Sequence, residues 1–166
     1  MSKETIRFIR KEGKKVYENL NKEFYLNHSG LKDKTDITEI LKQFRDISEP
    51  EVFQSLRDCN TKTEDESNGI KLMLSFLAKI ILLSKSPQIE DGILDLEASS
   101  IFSTGKTKIP FRKSRTALLK KSKKQDTEDI ERKREDILSK LNQLYLRKYA
   151  YLQKDSHDLG YSSYLN

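Results

Sequence analysis

Apolar residues recur every three or four positions along most of this chain, and each such run predicts an amphipathic helix. Ile6, Ile9, Val16, Tyr17, Leu20, Phe24 and Tyr25 mark the first, from about Lys3 to Leu26, with Gly13 as its weak point. The stretch Asn27-His28-Ser29-Gly30 then closes it, since Asn and Gly tolerate the backbone angles that end a helix. A second helix is expected from a cap at Asp36 to Ile47, with Ile37, Ile40, Leu41 and Phe44 on one face. Pro50 suits the first turn of a third, short helix carrying Val52, Phe53 and Leu56.

The polar, breaker-rich residues 58–69 read as a loop. Ile70 to Leu83 follows, apolar on nearly all sides, which marks the central helix of any core. It carries Lys71 and Lys79 and falls short of the roughly 20 apolar residues that a bilayer crossing needs, so no membrane partner is expected. After Pro87, Ile89, Ile93, Leu96, Ile101 and Phe102 keep near-helical spacing and predict a further helix through Phe102. The longest pattern begins at a cap at Asp126, where Glu128, Asp129 and Glu131 complement the positive end of the helix dipole. Ile130, Ile137, Leu138, Leu141, Leu144, Tyr145, Tyr149 and Leu152 continue it as one stripe.

No strand-like alternation rivals these patterns. The expected fold class is all-α, a multi-helix bundle with a long C-terminal helix. Six glycines and three prolines in 166 residues agree, because they leave few breakers. Hydrophobic and charged residues each make up 35%, which gives a lean core under a highly charged surface. Three regions are expected: a helical core over 1–104, a basic connecting segment over 105–125, and the long helix with its Gly-Tyr-x-x-Tyr terminus over 126–166.

Charge changes the picture at one place. Lys106, Lys108, Arg112, Lys113, Arg115, Lys120, Lys121, Lys123 and Lys124 fall within twenty residues that contain no acid, while the whole chain is only +6. Such a run is a candidate interaction patch, able to neutralise several phosphates or an acidic partner. Phe111 is the one aromatic inside it, so base stacking is poorly provided for.

Other chemistry is thin. Gly105-Lys106-Thr107 suggests a phosphate loop, but the required first glycine is Ser100 and no apolar strand precedes it. His28 and His157 stand alone, outside any zinc-binding spacing, and no nucleophile turn is recognisable. The expectation is no catalytic residue, no metal ligand and no cofactor in this chain. Cys59 is the only cysteine, and no apolar leader opens the sequence; both fit a cytoplasmic protein.

The last third resembles a known family. Asp126, Glu128 and Arg132 approximate the charged helix start, and Leu159, Gly160, Tyr161 and Tyr164 match the closing Gly-Tyr-x-x-Tyr element, of the N-terminal helical region of zinc metallopeptidases of the thimet oligopeptidase and oligoendopeptidase F type. The likeness covers about residues 105–166. It departs at Leu152 and Gln153, where an Arg-Asn pair is usual, and at Ser156, where Ala is usual. The resemblance implies a helical wall whose zinc and HExxH helix lie elsewhere, in a separate or missing catalytic domain. Two function classes follow: a non-catalytic wall of an oligopeptidase-type enzyme, or a small basic helical module binding nucleic acid or an acidic protein.

Overall fold

The computed structural model describes residues 3–104, 107–120 and 124–162. Seven α-helices carry the fold among them: α1 Lys3–His28, α2 Ile37–Gln43, α3 Pro50–Arg57, α4 Glu64–Lys85, α5 Pro87–Ser99, α6 Phe111–Lys120 and α7 Lys124–Asp158. A 3₁₀ helix Arg45–Ser48 joins α2 to α3, and an antiparallel hairpin, β1 Ile101–Thr104 with β2 Thr107–Pro110, lies between α5 and α6. The protein is mainly all-α, with a long C-terminal helix.

The principal core gathers around α4. Leu77 and Ile81 are sealed within it, and Ile9, Val16 and Leu20 of α1, Leu41 of α2, Leu56 of α3 and Leu152 of α7 surround them. By length and composition α4 could cross a membrane, with a third (33%) of its apolar window buried in the fold. Pro87 opens α5 directly after Ser86 breaks α4. Helix α7 lies chiefly against α5 and touches α4 less extensively. The ion pair Lys148–Glu90, 2.5 Å, ties α7 to α5.

Local chemistry sets several boundaries away from those the periodicity predicts. Helix α4 starts at Glu64, not near Ile70, because the Thr63 hydroxyl accepts from the Glu66 N–H at 3.2 Å while the Glu66 carboxylate accepts from the Lys62 N–H. This reciprocal cap offsets the breaker signals, and the loop shrinks accordingly. Helix α2 ends at Gln43, and the 3₁₀ helix delivers Ile47 to the core instead.

The cap of α2 is also not the expected one. Asp36 occupies the cap position but makes no side-chain cap bond; its carboxylate binds Lys32. Asp91 of α5 accepts from the N–H groups of Ile37 and Thr38 at 2.9 and 3.0 Å, and from the Thr35 and Thr38 hydroxyls. A carboxylate more than fifty residues away therefore serves the start of α2.

The predicted helix through Phe102 stops at Ser99. The hydroxyls of Ser99 and Ser100 turn back to the carbonyls of Asp95 and Leu96, a bond that competes with helix continuation. The chain then becomes extended: Phe102 faces Ile109 across the hairpin, both buried, while Ile101 is exposed. The segment expected as a basic hairpin or connection between helices holds one strand of the hairpin and a ten-residue helix. The hairpin pairs residues on both sides of the 104/105 boundary.

Candidate functional site

Of the basic run, the side chains of Lys108, Arg112, Lys113 and Arg115 are described. Lys108 is exposed on β2, and Lys113 and Arg115 are exposed on α6. Lys120 ends α6 and Lys124 begins α7, while Lys106, Lys121 and Lys123 lie outside the described residues. Arg112 points inward. Its guanidinium donates to the Asn27 carbonyl and the Asn27 side-chain oxygen, both at 2.6 Å, and stands 3.5 Å from Glu97. Asn27 is fully buried at the end of α1. Arg112 therefore clamps α6 to α1 and α5, and its half-buried guanidinium is already engaged within the fold. Arg134, which the sequence reading passed over, lies 5.9 Å from the Phe111 ring centre and extends this internal use of cations.

The family-like residues fall into two groups. At the start of α7, Asp126 falls within the helix, whose bounds begin at Lys124. Glu128 is exposed, and Arg132 pairs with Asp129 at 3.1 Å. Lys133 also reaches Asp129, at 2.6 Å, and donates to the Ser103 carbonyl, so it braces the hairpin against α7. The Lys133 hydrogen bond, with a smaller one from Arg132, holds the Asp129 carboxyl below its usual range.

At the other end of α7 the closing motif docks. Gly160 adopts φ +85°, a conformation that favours glycine, and the Tyr161 N–H returns to the Ser156 carbonyl at 3.0 Å. Leu159 is buried in the principal core and Tyr161 packs on Phe53 of α3, ring centres 6.4 Å apart. Arg57 donates to the Leu159 carbonyl at 3.3 Å. The motif staples the end of the long helix to α3. Tyr164 lies outside the described residues.

Between these ends, α7 presents a feature the periodicity did not single out. Its outward stripe runs through Ser139, Asn142, Gln143, Leu146, Tyr149, Ala150 and Gln153, all exposed and none charged. Leu146 is 71% exposed and Tyr149 53%. Tyr149 stacks on Tyr145, whose hydroxyl burial makes harder to ionise. Exposed Lys140, Arg147 and Lys154 stand beside this stripe in the same turns, so the uncharged surface is this strip and not the whole outer face of α7. The sequence spacing placed Tyr149 in one apolar stripe with Leu141 and Leu152, but Leu141 and Leu152 are buried while Tyr149 is exposed.

Other recesses offer less. A polar basin of about 590 Å³ lies where α2, the 3₁₀ helix and α3 meet the α4–α5 junction, and Arg45 at its edge is paired with Glu49. His28 bonds the Phe24 carbonyl and His157 contacts Gln153, each a local helix-end partner. Among the described residues no group of three His, Cys, Asp or Glu side chains is placed to hold a metal ion. Compared with family models, curated proteins and solved structures, the chain matches none.

Proposed function

We propose that this chain is a non-catalytic helical wall, of the kind that the resembled oligopeptidase-type metallopeptidases place in front of their catalytic part, with zinc and the HExxH helix supplied by another chain or domain. The uncharged outer stripe of α7 carries the reading. A long helix packed on one side against α5 and stapled at its end by Leu159, Gly160 and Tyr161 presents this uncharged strip outward. Such a strip suits contact with another protein surface better than open water.

The alternative, a basic module for nucleic acid or an acidic protein, is favoured by the exposed Lys108, Lys113 and Arg115. It is weakened by Arg112, which is held inside the fold.

A photoreactive residue in place of Leu146 separates the two readings in the native cell. The wall reading expects a cross-link to a chain bearing HExxH, lost when the probe sits at exposed Lys22 instead. Duplex and single-strand binding at two salt concentrations forms the other arm. Micromolar binding at physiological salt that falls steeply, by about 10³ over a severalfold rise in salt, would overturn the wall in favour of the basic module. Cross-linking at Leu146 to nucleic acid alone would do the same.

A further inference from the structure

An open apolar furrow of about 330 Å³ runs between α1 and α4. Tyr17 on one side and Leu72, Met73 and Phe76 on the other form its walls. Tyr17 is 60% exposed and Leu72 73%, an unusual amount of uncovered apolar surface in a chain with so lean a core. Gly13 makes the furrow deep. A Cβ there would stand 2.9 Å from Phe76 Cε1, so the missing side chain lets the ring approach the α1 backbone. Glycine in a helix interior is destabilising, and here it shapes a recess.

The charged residues lining the furrow are both cations, Arg10 and Lys14. Arg10 makes no ion pair among the described residues, and Lys14 has only a distant, exposed neighbour in Glu18 at 3.8 Å. Lys71 and Lys79 stand exposed on α4 on either side of the wall residues. No carboxylate lines the recess. We infer that this furrow docks an acidic amphipathic helix of another protein. Its apolar anchors, spaced by three or four residues, enter between Tyr17 and Leu72, and its flanking carboxylates meet Arg10 and Lys14. Met73 supplies an adaptable wall for anchors of differing shape.

A second copy of this chain is a poorer occupant. Its own acidic helical stretch, Glu128 to Asp136, already commits Ile130 to the hairpin cluster, with Ile137 packed against it. The inference uses no residue of α7 and stands apart from the wall reading.

The test is fluorescence anisotropy on the full chain, with two labelled peptides of about 18 residues, long enough for a marginally stable helix. Both carry Leu at i, i+3 and i+7; one is flanked by Glu, the other by Lys. The Glu peptide should bind at micromolar concentration and the Lys peptide at least about tenfold more weakly. Leu72→Glu should weaken the Glu peptide by at least about tenfold, with an unchanged circular dichroism spectrum because the residue is exposed. Arg10→Glu combined with Lys14→Glu should reverse the preference. Equal binding of both peptides, an affinity indifferent to Leu72→Glu, or no binding of the Glu peptide would overturn the inference. So would a dimer in sedimentation that Leu72→Glu dissociates, since the occupant would then be a second copy.

Discussion

Two cores of different character share this chain. The larger, around α4, joins residues from α1 to α5, the 3₁₀ helix and the end of α7, and most of its members sit at the helical spacing that the sequence displays. The smaller is built from Phe102 and Ile109 of the hairpin and Ile130 of α7, with Phe111, Ala117, Leu118 and Ile137 against them. The larger core exists because many amphipathic stripes face one another, and losing one contact leaves many. In the smaller, three buried residues from three elements depend on each other, so its structure is conditional on assembly. The surfaces proposed for partners lie on helices anchored in the large core, whereas the acid-free basic run from Lys106 to Lys124 belongs to the smaller region.

The sharpest way to break the comparison is to remove one large side chain from each core. Leu77→Ala should lower global stability by about 3–5 kcal/mol, since Leu77 is fully buried in α4 and the helices around it cannot all close the cavity. Ile130→Ala should lower protection mainly in the hairpin, α6 and the first turns of α7, by about 2–4 kcal/mol, and leave α4 protected. Amide hydrogen exchange reads both variants. Equal loss of protection in both regions after Ile130→Ala would mean that the two cores unfold as one unit.

A somewhat smaller effect concerns a polar link inside the larger region. Asp91→Ala removes the acceptor of the Ile37 and Thr38 N–H groups and of two hydroxyls. The expected cost is about 2–3 kcal/mol, with exchange accelerated first at the start of α2. Denaturant unfolding that matches the parent chain would show that water replaces Asp91 without loss.

The smallest expected effect tests the electrostatic brace of the smaller region. Asp129 is held below its ordinary value of 3.8 by Lys133 and Arg132, so its contribution is present above that value and is lost as pH falls through the lower folded pKa. The stability gap between the parent chain and Asp129→Asn should therefore be constant near neutral pH and close in acid. A gap that widens below pH 4 would reverse the sign and reject the ion pairs as its cause.

Several helix ends and most of the buried stripe of each long helix were legible because they rest on neighbours three or four residues apart. Gly30 at φ +76° ends α1, Pro50 opens α3, and Gly160 at φ +85° closes α7, each where local backbone chemistry requires it. Where Leu159 and Tyr161 dock, on the principal core and on Phe53 of α3, is by contrast a long-range contact that local spacing does not specify. The sequence by itself also determined that α4 would be central, since no other segment is apolar on so many sides.

Tertiary structure decided what depends on distant partners. Ile101 and Phe102 have helical spacing, yet they extend because Phe102 finds Ile109 across the hairpin and Ile130 beneath it. Asp36 has the right identity and position for a cap, yet Asp91 caps α2, because packing of α2 on α5 brings a carboxylate to the exposed N–H groups while Lys32 holds Asp36. Arg112 looks like one cation among nine, yet the buried Asn27 takes it inside. In each case local spacing left two partners available to the same side chain. The choice fell to whichever one satisfied a buried polar group or covered apolar surface once the helices had assembled.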